Sequence, residues 1–375
     1  MTTRLPVHPD FAGPHHVRIG NALRAYFGGS DYFRLSWNRT VVKQMTREIG
    51  RGGLDVAASR ITSGNLAVYG EAERALGGWL GTGSAVLTTG GYTAPLVAAQ
   101  ALAARCDGVV VAAGGHPCLT DAAAGSGLPW VKDVAMDRLA TELDDRGWSR
   151  PLVMMDGLGA LTGRMPDMDA WLEVLPRAGW LLLDDAHGIG TVGQRGRGVM
   201  ELAGCRDRRV IRAFTLSKAF GLQGGVVAGP AWVARAVWSG SHAARSSTPI
   251  PPMYAAAIPC VLELLDRHGA EWRVRLAGHR SLLAAALVGL KGAEPSGHAG
   301  AVFGVAPIDA RRARTMERAL IAAGIQPPFI RYPGGPVGGL FRFALSATHP
   351  TTLVRRLATT LEAVCGRDPT GYRWL

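Results

Sequence analysis

Residues 180–190 read W-L-L-L-D-D-A-H-G-I-G, so four apolar residues run directly into Asp184, Asp185 and His187. A short apolar run bounded by turn signals is the pattern of a strand buried on both faces, as in a parallel sheet. Such a strand delivers two acids and a histidine at its carboxyl end, where parallel sheets bind their ligands. A buried carboxylate is costly unless something cationic or hydrogen-bonding meets it, so Asp184 needs a partner, and a protonated pyridine nitrogen would serve. Read alone, a strand-end aspartate is equally consistent with a cap on the next helix.

Outward from this strand, short apolar runs alternate with longer segments of helical pattern from about residue 84 to 229. The other candidate strands are 85–88, 109–112, 130–132, 152–155, 210–216 and 226–228. The alternation predicts an α/β fold with a mostly parallel sheet and helices on both faces. After Pro249, Pro251 and Pro252 the pattern becomes one long helix over 253–290. Strand 302–305, helix 310–323, strand 341–345 and helix 351–364 follow, which reads as a second, smaller α/β domain. The expected organisation is residues 1–50 as an arm or helix packed against the rest, a large domain over 51–240 and a small one over 241–375.

The candidate strand V-I-R-A-F-T-L runs into S-K-A-F-G, which sets Lys218 just past a strand end. Of 41 basic residues only four are lysines, Lys43, Lys132, Lys218 and Lys291, so a lysine in this place is informative. A lysine entering an apolar interior has its amine pKa lowered and becomes nucleophilic toward an aldehyde, as a Schiff base requires. A lysine taken at random snorkels to the surface. Here the small or apolar neighbours and the D-D-A-H element upstream favour the reactive reading.

Two further elements suit a phosphorylated aromatic aldehyde. T-T-G-G-Y at 88–92 follows a strand and opens an apolar helical segment, so the N–H groups near Gly91 and Tyr92 suit a phosphate at a helix N-terminus. His116, in G-G-H-P after another strand, suits stacking on a planar ring. Taken singly, glycine pairs usually just make turns and a lone histidine is usually a satisfied polar residue.

Composition and absent motifs exclude several classes. With 375 residues, 47% hydrophobic and 19% charged, the chain can bury a large core, which excludes disorder and small disulfide scaffolds. The net charge of +12 raises the question of nucleic acid, but the densest arginine runs, 206–212 and 311–314, are short and lack interleaved aromatics. A basic surface that favours anionic cofactors and substrates is the reading adopted, with no nucleic-acid partner. Five cysteines without a C-x-x-C pair suggest neither a disulfide framework nor a zinc site and fit a reducing cytoplasm. Pro6, His8, Pro9 and Asp10 occupy the place of a signal-peptide core, and no long apolar run occurs, so a soluble, non-exported protein is expected. G-I-G-T-V-G at 188–193 matches a dinucleotide fingerprint, but D-A-H precedes it and the polar, glycine-rich 194–198 follows where an apolar helix is needed. There is no G-x-S-x-G elbow. Asp184, Asp185 and His187 lack a second histidine at ligand spacing, so no metal is expected.

Taken together, D-D-A-H-G-I-G-x-x-G-x-x-G-R-G at 184–198 and T-L-S-K-A-F-G at 215–221 resemble the α-oxoamine synthases, fold-type I pyridoxal-phosphate enzymes with an aspartate-aminotransferase-like large domain. S-D-Y-F-R-L-S at 30–36, S-S-T-P-I-P-P at 246–252 and F-R-F-A-L-S-A-T-H at 341–349 extend the likeness over about residues 30–364. The resemblance implies that Lys218 forms the Schiff base with the cofactor, Asp184 pairs with its pyridine nitrogen, His187 bonds its ring hydroxyl oxygen and His116 stacks on the ring. Gly91, Tyr92 and Thr215 would contact the phosphate, joined by Thr248 from the neighbouring subunit of a homodimer, and Arg342 would hold the substrate carboxylate. The implied reaction joins a small amino acid to an acyl thioester, of coenzyme A or an acyl carrier protein, with loss of carbon dioxide. Aminotransferase, racemase and aldol-type lyase chemistry are the alternatives on the same platform, with a non-catalytic binding protein less favoured because Lys218, Asp184, His187 and His116 together would be unneeded for mere binding. Where the family usually has V-F-S-M-D-G, this chain has L-G-A-L-T-G at 158–163, so Ala160 replaces a serine near the cofactor.

Overall fold

The structure is a computed structural model and describes residues 10–291, 299–332 and 335–375. The first nine residues of the expected arm, with Pro6, His8 and Pro9, lie outside the described residues. Contacts group the chain into two units. One comprises 31–274 with 299–300; the other comprises 10–30, 275–291, 301–332 and 335–375.

The first unit is built on seven strands: β1 (Ser84–Thr88), β2 (Gly108–Ala112), β3 (Trp130–Val134), β4 (Pro151–Asp156), β5 (Trp180–Asp184), β6 (Val210–Thr215) and β7 (Gly225–Gly229). Their spatial order is β1-β7-β6-β5-β4-β2-β3, parallel from β6 to β3. β7 runs antiparallel to both β1 and β6, because the link 216–224 is too short for the crossover that a parallel return needs. All seven lie within two residues of the expected strands.

Successive residues of these strands point to opposite faces, and both faces are covered. Val109, Val111, Leu152 and Met154 pack into one buried cluster with α1 (Thr93–Leu102) and α2 (Pro117–Ala124). Val110, Val153, Met155, Leu181 and Leu183 pack into the other with Leu139, Leu143 and Trp171. This two-sided burial accounts for uninterrupted runs such as V-V-V, and it leaves the carboxyl ends of β4, β5 and β6 as the places where polar side chains emerge together.

Helix α3 (Pro252–Leu287) contributes its residues up to Val274 to this unit and those from Arg275 to the other. Its first part is held by the Trp79 indole, which donates to Asp266 at 3.0 Å, and by Gln44, which donates to the Ala256 carbonyl at 3.4 Å. That anchoring carries the first unit past residue 240, where the sequence suggested a boundary.

The second unit contains an antiparallel sheet of β8 (Val302–Pro307), β9 (Phe329–Ile330), β10 (Leu340–Ala344) and β11 (Tyr372–Trp374), with helices Ala310–Ala322 and Thr351–Cys365. Of the segment expected as an arm or a helix, residues 10–26 form three further strands joined to Ile325–Gln326, and the helix is Arg39–Gly52. His16–Ile19 and Ala22–Tyr26 are a hairpin across the Gly20-Asn21 turn, a two-residue turn signal of the kind that favours positive φ, and Gly20 has φ +54. Among the described residues no helix is long and apolar enough to cross a membrane.

Candidate active site

A cavity of about 190 Å³ opens at the carboxyl ends of β4, β5 and β6 in the first unit. Its walls include His116, Asp156, Asp184, His187, Thr215 and Lys218. A larger groove of about 560 Å³ runs beside the helices Ala310–Ala322 and Thr351–Cys365, but it is lined by no lysine or histidine, and its Arg312 is already paired with Asp309 and Asp368. Chemistry, not size, selects the smaller cavity.

Asp184 is 7% exposed and ends β5. Its Oδ1 accepts the Ala186 N–H at 3.0 Å and its Oδ2 accepts the Cys118 thiol at 3.4 Å. Burial, and then the Asp184 charge, push the Cys118 thiol far up, so Cys118 stays protonated as a donor. His187, also buried, faces the same cavity with Nδ1 2.5 Å from the Tyr32 hydroxyl. The loop after β5 therefore places an acceptor and an imidazole in one wall.

Asp185 does not join them. The sequence suggested two acids and a histidine converging here, but neighbouring residues leave a strand on opposite sides, and Asp185 turns into the protein. It is fully buried and accepts the Val199 N–H on both oxygens, at 3.1 and 3.2 Å. A methyl on Gly188 or Gly198 would strike its carboxylate, and Gly198 has φ +88. Asp185 and those glycines thus explain part of the glycine-rich motif as a packing requirement.

Lys218 sits three residues past the end of β6, on a link fixed by fully buried Ala219 and Phe220. Gly221 closes the turn with φ +65, where a side chain would meet the backbone of Leu35 and Ser36. Thr215 Oγ1 lies 2.8 Å from Ser217 Oγ and accepts the Ser217 N–H at 3.1 Å. Across from it, Gly91 approaches so closely that any Cβ would collide with Thr215. Gly91 and Tyr92 immediately precede α1, whose first-turn N–H groups form an anion-favouring terminus.

His116 is the N-cap of α2 and accepts the Cys118 N–H on Nδ1 at 3.2 Å. Its ring meets that of Tyr92 edge-on, with centroids 5.9 Å apart, while the half-exposed Tyr92 sends its hydroxyl to Asp121. Ala160 also lines the cavity. Thr248 does not; it lines a separate small space with Arg60, Thr88, Thr89 and Thr93. Arg342 belongs to the second unit, on β10, with Nη1 3.3 Å from Ser30 Oγ.

The sequence reading gave no role to two residues that line the cavity, Asp156 and Cys118, or to Tyr32, which bonds one of its lining residues, His187. Asp156 ends β4 and is the register partner of Asp184. Burial, and then Asp184, push its carboxyl well above the usual carboxylate range, against the pull of the His116 N–H and Lys218. The signal was available, since L-V-M-M-D repeats the pattern of L-L-L-D. Cys118 and Tyr32 gave no such signal, because their importance lies in contacts far apart in the chain.

A family model for aminotransferase class I and II matches residues 33–361. The chain belongs to that family. It is 31% identical to an 8-amino-7-oxononanoate synthase of Aromatoleum aromaticum, covering 92% of this chain and 90% of the relative. It is 30% identical to the biotin biosynthesis bifunctional protein BioWF of Cutibacterium acnes over 90% of this chain, but spans only 52% of that protein. A serine palmitoyltransferase from S. paucimobilis, solved with a bound adduct of PLP and myriocin, superposes with a TM-score of 0.86 at 22% identity, covering 95% of this chain and 91% of that one. The resemblance to the α-oxoamine synthases holds, and this family member is a pyridoxal-phosphate-dependent enzyme of fold type I. The residues present fit that cofactor: a buried acid for a ring nitrogen, a lysine for an aldehyde, an imidazole at a ring face, and a cradle at Gly91 that only a residue without Cβ can form.

Proposed function

We propose that the enzyme condenses a small amino acid with an acyl thioester and releases carbon dioxide and the free thiol, giving an α-amino ketone. One observation carries the reading: Lys218, Asp184, His187 and His116 converge on a single cavity, within a chain whose relatives include the 8-amino-7-oxononanoate synthases. When bound, pyridoxal phosphate supplies an electron sink for the bonds at the amino acid's α-carbon.

Within this reading Lys218 would hold the cofactor's aldehyde carbon, and its Nζ would be the group that moves the substrate's α-proton. Asp184 would hold the ring nitrogen protonated by charge pairing, His187 would bond the ring hydroxyl oxygen and His116 would pack on the ring face. Gly91 and Tyr92 offer backbone N–H groups to the phosphate and Thr215 its hydroxyl. Thr248 lies apart from its own chain's cavity, which suits a role toward the neighbouring subunit of a homodimer. Arg342 binds the substrate carboxylate through its two-pronged guanidinium. The net positive chain suits an anionic thioester carrier, coenzyme A or a carrier protein, in the cytoplasm.

The test is to load the purified protein with cofactor, supply single amino acids with and without an acyl thioester, and follow carbon dioxide and thiol together. Equal, thioester-dependent release of both is expected, and Lys218→Ala should abolish it along with the borohydride-reducible visible absorption. Amino transfer to a keto acid without thioester consumption would overturn the assignment in favour of transamination.

A further inference from the structure

Two acids share one wall of the cavity because the sheet register puts them there. Asp156 ends β4, Asp184 ends β5, and the two are paired across the parallel ladder. Register partners on adjacent strands project to the same side, and both residues line the cavity. Neighbouring carboxyl groups withdrawn from water do not both ionise without sufficient positive charge nearby. Among the described residues the lining supplies one lysine, Lys218, and no arginine.

The donors around the pair distinguish its members. Each oxygen of Asp184 has a donor of its own, Ala186 N–H on one and the Cys118 thiol on the other. Asp156 receives the single N–H of His116, divided between its two oxygens at 3.2 and 3.3 Å. The carboxyl with more donors is the better anion.

We infer that Asp156 holds a proton in the active enzyme: Asp184 is the anion that faces the ring nitrogen, and Asp156 is a neutral acid that positions His116. The inference rests on the cofactor site proposed above. The groups facing Asp156 are Asp184 from the end of β5, His116 and Cys118 from the start of α2, and Lys218 from the link after β6. The direction of its carboxyl pKa, upward through burial and Asp184, agrees with the geometry. Asp156 acts through His116 rather than on reacting atoms, so it is a positioning residue. Its proton also keeps a second negative charge out of a site that must receive a phosphate ester.

Asp156→Asn preserves the size and neutrality of a protonated aspartate, whereas Asp156→Ala removes the acceptor for the His116 N–H. Two readouts separate these roles: the affinity of the apoprotein for pyridoxal phosphate from about pH 6 to 9, and the infrared band of a protonated buried carboxyl near pH 7. The Asn variant should bind within about threefold of the parent and lack the parent's loss of affinity toward alkaline pH, while the Ala variant should bind about tenfold more weakly. Asp185, whose carboxyl is pushed up to about 7, contributes such a band in both proteins, so the band of Asp156 should appear in the difference between the parent and Asn-variant spectra. An Asn variant as weak as the Ala variant, or a parent-minus-variant difference spectrum without the band, overturns the inference. If the parent itself fails to bind the cofactor, the proposed function falls, and the infrared comparison, which needs no cofactor, still decides the proton.

Discussion

The hydroxyl of Tyr32 and Nδ1 of His187 lie 2.5 Å apart, and both side chains are buried. A phenol donating to Nδ1 leaves the hydrogen of a neutral imidazole on Nε2. In that tautomer Nε2 of His187 would be the donor that the proposed bond to the cofactor's ring hydroxyl oxygen requires.

Tyr32→Phe keeps the ring packing and removes only this bond. The variant should lose about tenfold in kcat/KM and lose cofactor affinity in parallel, with about 1 kcal/mol or less taken from folding stability. Cofactor titration and thermal unfolding measured together check it. A variant with unchanged affinity and unchanged activity would show that His187 is oriented by other contacts.

The glycines of the motif make a separable prediction. Gly198 has φ +88 and a methyl there would strike Asp185, whereas Gly204 has φ +66 with open space around it. Gly204→Ala should cost about 1 kcal/mol, the backbone penalty alone. Gly198→Ala should cost clearly more, about 3 kcal/mol or above, since it must also displace a buried carboxylate. Urea unfolding of the two variants reads the difference, and equal costs would remove Asp185 from the explanation.

Much of this architecture was legible because buried parallel strands write themselves as apolar runs. The seven expected strands of the large sheet are present, and the strand-end rule locates Asp184 and, with the scarcity of lysines, Lys218. The same rule applied to L-V-M-M-D would have added Asp156, and period-two alternation would have turned Asp185 away from Asp184. Tyr32 was beyond reach, because its partner stands 155 residues away and no local pattern encodes that contact. The hairpin at 16–26 differs from the expected arm or helix for another reason: its only local signal is the two-residue Gly20-Asn21 turn.

Asp185 should make stability fall as pH rises. Burial is the main cause that pushes its carboxyl up to about 7, with Arg212 and the Val199 N–H opposing and Asp184 adding to the rise. The folded state therefore binds this proton more tightly than the unfolded chain. Its contribution is fully present below the unfolded value near 3.8 and is lost as pH rises through about 7. The loss is on the order of a few kcal/mol between pH 4 and 8. Asp185→Asn has no such charge to bury, so the stability of the variant relative to the parent should improve steadily over that range in urea unfolding. Parallel profiles for the two proteins would contradict the shift.

Arg342 offers a prediction that separates substrate binding from cofactor binding. It lies on β10 between β9 and β8, half-buried, with Nη1 within 3.3 Å of Ser30 Oγ. A guanidinium held by its strand presents two parallel donors to a carboxylate, and an ammonium cannot reproduce that fork. Arg342→Ala and Arg342→Lys should both raise KM for the amino acid by about tenfold or more, since a lost charge-assisted bond is worth about 1.5–3 kcal/mol. Neither should alter cofactor affinity, because Arg342 is absent from the cavity that holds Lys218 and Asp184. Ser30→Ala should produce the same pattern in weaker form, as it removes one contact to the guanidinium and leaves the charge. Initial rates at varied amino acid concentration, set beside a cofactor titration of the same preparations, give both quantities. A lysine variant with the parent's KM would show that charge alone suffices, and a variant that loses cofactor affinity instead would move Arg342 out of the substrate-binding role.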